Sequence, residues 1–278
     1  MDKVVISSEK NFEKLKDSFI DSNKFHVIAD FDRTLTFGAL DGKRNPSLIA
    51  LIRDGGHLTK DYPKKSQALY DKFRPIEIDP NLSIEEKSKK MDEWWRAHFD
   101  LLAKCGMNKG VIDDIVRRNE AKFREGSLEF LDLLHKENIP LIIMSAGPGQ
   151  LIEEFLRKKD RFYDNIQVIA NHFIFNEEGV AIGRRDPQIH TFNKKEFVVK
   201  DLPVYQDLLK RKNVLLLGDS IGDIDMVDGF PYDNLIKIGF LNENIEDNIE
   251  DYQKSYDVII KEDGDFSFVN ELLKEIIN

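Results

Sequence analysis

Three apolar runs of this chain end in the same kind of tip, and that repetition limits its fold more than any other feature. Phe25-His26-Val27-Ile28-Ala29 leads into Asp30-Phe31-Asp32-Arg33-Thr34, Ile139 to Met144 into Ser145-Ala146-Gly147, and Val214 to Leu217 into Gly218-Asp219-Ser220-Ile221-Gly222-Asp223. An Asp at the carboxyl tip of a buried strand is not required by packing, and it sits where open α/β sheets bind ligands. Side by side in one parallel sheet, the three runs bring Asp30, Asp32, Ser145, Asp219 and Asp223 into one crevice. Carboxylates that close raise one another's pKa and cannot all stay ionised without a cation among them. A hard, oxygen-preferring ion such as Mg2+, which shares sites with phosphate, fits that need.

The periodicity along the chain supports such a sheet. Residues 9 to 20 read as an amphipathic helix with Phe12, Leu15, Phe19 and Ile20 on one stripe. From 41 to 123 no strong β run occurs and helical patterning takes over, which predicts a helical unit inserted between two strands of the core. Its clearest helix opens with the capping box Ser83-Ile84-Glu85-Glu86 and carries Ile84, Met91, Trp94, Trp95, His98, Leu101, Leu102 and Cys105 on one face. A second helix is expected from about Asn108 to Phe123, and a third after Gly126-Ser127. Strand and helix patterns then alternate, as a parallel sheet covered by helices demands. The exception is Val168 to Ile182, where two β-prone runs flank Asn176-Glu177-Glu178-Gly179 and predict a hairpin. The expected fold class is therefore α/β: a doubly wound parallel-sheet core from 1–40 and 124–278, with a helical cap from 41–123.

Composition narrows the partners. A formal net charge of -10 argues against nucleic acid, which calls for a basic face, so any phosphate site must be positive locally. The single cysteine, Cys105, excludes an internal disulfide and fits a reducing compartment. The N-terminus lacks a signal peptide's apolar stretch and no run approaches the length of a membrane span, so the cytoplasm, with no membrane partner, is the expectation.

Asp-x-Asp-x-Thr after a first strand, Ser after a second, a later lysine and Gly-Asp-x-x-x-Asp after another strand resemble the signature motifs of the haloacid dehalogenase-like hydrolases. Ile76 to Lys87, Met91-Asp92-Glu93-Trp94, Phe192-Asn193-Lys194 and Leu217 to Asp223 narrow the resemblance to the pyrimidine 5'-nucleotidases. It covers nearly the whole chain from about Phe25 onward. The resemblance implies a Mg2+-dependent enzyme that converts nucleoside 5'-monophosphates, small-molecule substrates such as CMP and UMP, to nucleoside and phosphate. Asp30 is the implied nucleophile, forming an aspartyl-phosphate. Asp32 is the implied general acid and base, and also touches the metal through its backbone carbonyl. Asp219 is the implied direct metal ligand beside Asp30, with Asp223 supporting the metal or the lysine.

Ser145 and the Ala146 amide are expected to hold phosphate oxygens at the start of the following helix. Lys194 supplies positive charge; the pattern Asn193-Lys194-Lys195-Glu196 alone reads as a solvated loop, and the choice of Lys194 over Lys195 comes from the resemblance. Glu93, by itself an ordinary surface glutamate, matches the residue that recognises the base from the cap. Trp94 or Trp95 could stack on that base, unless both serve packing. The alternatives are a nucleotidase specific for 7-methylguanosine monophosphate, a phosphoserine-type phosphatase, and a catalytically silent binding module; a silent module would be expected to lack one of Asp30, Asp32, Asp219 or Lys194, and all four are present.

Overall fold

The computed structural model describes residues 3–22, 24–40, 43–118, 121–194, 205–229 and 231–277. A seven-stranded sheet runs through the molecule. Its strands are β1 (Val4–Ile6), β2 (Phe25–Ala29), β5 (Leu141–Pro148), β6 (Ile166–Asn171), β9 (Asn213–Gly218), β10 (Asn234–Leu241) and β11 (Val258–Lys261). They are ordered β1-β11-β10-β9-β2-β5-β6, and only β1 runs antiparallel to its neighbour. The predicted trio is the centre of the sheet: β2 lies between β9 and β5, with Ala29 opposite Leu217 on one side and Ile143 on the other. All five residues of β2 and all six of β9 are buried. That double burial is why these runs are apolar throughout instead of alternating.

Around the sheet pack α1 (Glu9–Ser22), α6 (Ser127–Lys136), α7 (Gly149–Lys158), α8 (Tyr205–Leu208), α9 (Ile245–Ser255) and α10 (Ser267–Ile277). Between β2 and α6 the chain forms the small hairpin β3 (Ala39–Leu40) and β4 (Lys43–Arg44), then α2 (Leu48–Asp54), α3 (Tyr62–Ile78), α4 (Ile84–Lys104) and α5 (Lys109–Arg118). The hairpin β7 (Phe173–Phe175) and β8 (Ala181–Arg184) completes the set. No helix among the described residues is long and apolar enough to cross a membrane.

The capping box forms as expected: Ser83 Oγ accepts from Glu86 N–H and Glu86 Oε2 accepts from Ser83 N–H. Two apolar positions depart from their predicted stripes, because periodicity gives spacing and not coverage. Ile84, in the first turn of α4, is 61% exposed, and Ile20, near the end of α1, is 40% exposed. The helix expected to reach Phe123 stops at Arg118; Phe123 instead lies beyond it, its ring meeting that of Phe31 edge-on at 5.9 Å. The predicted hairpin exists and docks on the helical insertion. Lys109 N–H donates to Gly179 O, Ala181 N–H donates to Met107 O, and Phe173 packs on Phe99 with ring centres 4.7 Å apart. Phe99, Leu102, Val111 and Ile115 of the insertion share one continuous apolar core with Val27, Leu141 and Leu217 of the sheet.

Candidate active site

Asp30 follows directly on β2, its N–H donating to Leu217 O of β9 at 3.0 Å. The chain then makes a wide turn, Phe31–Leu35, broken by extended Asp32 (φ -68°, ψ 124°) and left-handed Arg33 (φ 63°). That break separates the two carboxylates. Asp30 faces the sheet tips, while the Asp32 carboxylate accepts from Leu48 N–H at the start of α2, at 3.2 and 3.4 Å.

Lys194 occupies the centre. Its Nζ donates to Asp30 Oδ1 at 2.8 Å and to Asp223 Oδ1 at 2.6 Å, and all three side chains are less than a tenth exposed. The loop that brings Lys194 there is organised by Asn193, whose Oδ1 accepts from His190 N–H and whose Nδ2 donates to Gln188 O. The other oxygen of Asp223 accepts from Asp219 N–H, Ser220 N–H and Ser220 Oγ, so this one carboxylate both shapes its own tip and anchors the lysine. Tyr252 Oη of α9 donates to Asp219 O, and Tyr256 Oη, at the C-cap of α9, to Ser220 O, pinning the same turn.

The titration directions follow from burial. Desolvation pushes Asp30 up to about 7, opposed by Lys194 and reinforced by Asp223. Asp32 is pushed up to about 6 by desolvation, opposed by the Leu48 N–H. Asp219 is raised well above the usual carboxylate range by desolvation and by the charges of Asp30 and Asp223. For Lys194, desolvation favours the neutral amine, yet Asp223 and Asp30 outweigh it and the ammonium is stabilised.

Asp30, Asp219 and Asp223 can each offer an oxygen within 4.8 Å of the others. The donors are all hard oxygens, and among them Lys194 bonds to only two, leaving Asp219 facing two further carboxylates. That set suits Mg2+ in both donor type and charge. Asp32 lies outside the cluster, its side chain being held by Leu48 N–H.

Ser145 is buried on β5, where its Oγ accepts from Gly147 N–H at 3.0 Å. The expectation that Ser145 and Ala146 open the next helix is corrected: β5 continues to Pro148, which is the N-cap of α7, and the strand pairing shifts register between Met144 and Pro148. Glu93 is on the exposed side of α4, bonded to Lys90 at 2.9 Å, and the structure does not bring it into the acidic cluster. Both tryptophans are engaged within the insertion. Trp94 stacks on Phe73 with centroids 5.8 Å apart, and Trp95 packs with His98 and Phe99. Lys195 lies outside the described residues.

The sequence reading overlooked Arg124, Tyr252, Tyr256 and Asn193. Each touches the active turns through a backbone carbonyl or N–H, a partner that carries no residue-type signal. Only Asn193 had a hint, standing next to the chosen lysine.

The family model for pyrimidine 5'-nucleotidase matches residues 33–277. The chain belongs to the pyrimidine 5'-nucleotidase family. It is therefore a 5'-nucleotidase of the haloacid dehalogenase-like hydrolases, a phosphoric monoester hydrolase. The human 7-methylguanosine phosphate-specific 5'-nucleotidase is 40% identical over 256 residues, covering 92% of this chain and 85% of that one. Its Gallus gallus counterpart is 38% identical over 256 residues, covering 92% and 89%. Among solved structures, cytosolic 5'-nucleotidase IIIB bound to cytidine superposes with a TM-score of 0.89 at 29% identity, covering 99% of this chain and 94% of the other.

Proposed function

We propose that this protein hydrolyses nucleoside 5'-monophosphates to nucleoside and inorganic phosphate, with Asp30 as the nucleophile. The observation that carries the assignment of roles is the buried contact of Lys194 with both Asp30 and Asp223 at the tips of β2 and β9. An ammonium held there offsets negative charge on an arriving phosphoryl group.

In the first step an Asp30 oxygen forms a bond to phosphorus while the bond from phosphorus to the ribose 5'-oxygen breaks. The departing oxygen takes its proton from Asp32. A carboxyl raised to about 6 carries that proton part of the time near neutral pH, and the Asp32 side chain stands outside the Asp30, Asp219 and Asp223 cluster, held by Leu48 N–H. In the second step Asp32 takes a proton from water, the water oxygen attacks phosphorus, and Asp30 leaves as a carboxylate. Ser145 Oγ and the Ala146 N–H hold the phosphate oxygens. Mg2+ held by Asp30, Asp219 and Asp223, and by the Asp32 carbonyl, would supply the positive charge that keeps these acids ionised and lets two anions approach.

Residues 41–123 act as the cap in this reading, and Glu93 recognises the base, exchanging Lys90 for substrate. A carboxylate accepts hydrogen bonds from an exocyclic amino group and attracts a cationic base. That chemistry supports CMP, and the cytidine bound to the similar structure points the same way. A second reading, 7-methylguanosine monophosphate, is favoured by the names of the curated relatives and by the positive charge of that base. We place the reaction in the cytoplasm on the strength of the lone free cysteine, Cys105.

The test is phosphate release from CMP, UMP, 7-methylguanosine monophosphate, phosphoserine and p-nitrophenyl phosphate, with and without Mg2+, by wild type and Glu93→Ala. The variant should lose kcat/KM on nucleotides far more than on p-nitrophenyl phosphate. A parallel fall on every substrate would remove Glu93 from base recognition, and faster turnover of phosphoserine than of any nucleotide would overturn the substrate class.

A further inference from the structure

Arg124 is 1% exposed, among the largest fully buried side chains of the described residues, and its partners are unusual in kind. Nε donates to Thr34 O at 3.0 Å, Nη1 to Gly264 O at 2.8 Å and Asp263 Oδ1 at 3.4 Å. Nη2 is shared among Arg33 O at 2.5 Å, Asn242 Oδ1 at 2.9 Å and Thr36 O at 3.2 Å. Its own N–H donates to Leu35 O at 2.9 Å. The face of the guanidinium lies 4.5 Å from the Phe240 ring centre. Three of the six guanidinium acceptors among the described residues are consecutive or near-consecutive carbonyls of the turn that carries Asp32.

A buried arginine is costly, and an apolar side chain of similar volume would fill a core at less expense. What an apolar side chain could not do is hold carbonyls that point in different directions. Arg33 has the left-handed φ of 63°, and its carbonyl is gripped twice, by Arg124 Nη2 and by Asn242 Nδ2 at 3.1 Å. Arg33 directly follows Asp32, so this grip fixes the direction in which the chain leaves Asp32. Burial pulls the Arg124 pKa down only to about 10, with Asp263 opposing, so the clamp is cationic at neutral pH.

We propose that Arg124 is a positioning residue for the reaction, holding the Arg33–Thr36 carbonyls so that the Asp32 carboxyl meets the leaving oxygen while Asp30 faces phosphorus. The proposal rests on the reading of Asp30 and Asp32 as the reacting pair. It has a signature that loss of packing alone lacks. Proton donation matters greatly for a poor leaving group, the ribose alkoxide of a nucleotide, and little for p-nitrophenolate, which departs as a stable anion.

Arg124→Met and Arg124→Lys, each verified as folded by circular dichroism and thermal melting, are compared with wild type for leaving-group release in a single turnover, using CMP and p-nitrophenyl phosphate. Arg124→Met should slow release from CMP by about 100-fold, the size of a misplaced general acid, and release from p-nitrophenyl phosphate by less than about tenfold. KM should stay within about threefold, since Arg124 touches no substrate, and Arg124→Lys should fall between the two. Should Arg124→Met fail to fold, Asn242→Ala, which removes the second grip on Arg33 O, must show the same leaving-group dependence at smaller size. An equal fall on both substrates, or rates within twofold of wild type, in folded variants overturns the proposal. A wild type that releases neither leaving group would instead remove the reading of Asp30 and Asp32 on which it rests.

Discussion

Replacing Lys194 by Met removes the cation that, alone among the described residues, bonds to both Asp30 and Asp223, while keeping a side chain of similar length. The three acids of the cluster would then lose the ammonium that bonds to two of them. Breaking a buried ion pair by deleting one partner costs about 3–5 kcal/mol. A chain of 278 residues unfolds with an entropy of roughly 0.6 kcal/mol per kelvin near its melting point, at about 2.1 cal/mol/K per residue. The variant should therefore melt about 5–9 °C below wild type at neutral pH without metal. The sign of its pH dependence follows from the acids left behind. Asp30 and Asp219 already titrate above the ordinary carboxylate range because of burial, and losing the lysine raises them further. A carboxyl whose folded pKa is raised favours the folded state at low pH and loses that contribution as pH rises through the folded value. The deficit should thus be small near pH 4, grow through pH 7 and above, and shrink when Mg2+ is added. Differential scanning fluorimetry at several pH values, with and without Mg2+, reads all three effects. A Tm within about 2 °C of wild type at pH 8, or a deficit that is flat with pH, would refute the view that Lys194 neutralises this cluster.

Three further outcomes are expected. Asp30→Asn should fold normally and lose at least about 1000-fold in kcat, and no phosphoryl group should be trapped on it by acid quench; a folded variant within tenfold of wild type would exclude Asp30 as the nucleophile. Tyr252→Phe removes the hydroxyl that donates to Asp219 O, so calorimetric Mg2+ affinity should weaken about three- to tenfold while KM for nucleotide holds, and unchanged affinity would separate this tyrosine from the metal cluster. His98 of α4 is pulled down to about 4 by desolvation, so it stabilises the fold above pH 6.5 and that contribution is lost as pH falls toward 4. His98→Gln should flatten the acid limb of a stability–pH curve, and an unaltered limb would locate the acid sensitivity elsewhere.

The sheet centre was legible because β2, β5 and β9 are buried on both faces and must be continuously apolar, which makes a polar tip conspicuous. The capping box of α4 was legible for the opposite reason, since all its partners lie within four residues. What escaped was set by partners far along the chain. Arg124 reads as one more charge beside Glu125, and only folding reveals that its acceptors lie at 33–36 and 263–264. Ile84 and Ile20 have the right spacing for buried stripes, yet they remain exposed, the first by more than half of its surface. The hairpin of β7 and β8 was visible in its turn residues, whereas its seat on α4 depends on Phe99 and Phe173 meeting across a distance no local pattern records.

The continuity of apolar packing from Phe99, Leu102 and Ile115 into Val27 and Leu217 bears on how a nucleotide gets in and out. A lid joined to its base by a polar seam can swing as a rigid body, but here a wholesale swing would lay bare side chains that are now dry. Entry and release must then proceed by movements of short segments, with the insertion staying seated. Limited proteolysis should accordingly produce no long-lived sheet fragment stripped of its helices, and both parts should melt in a single transition.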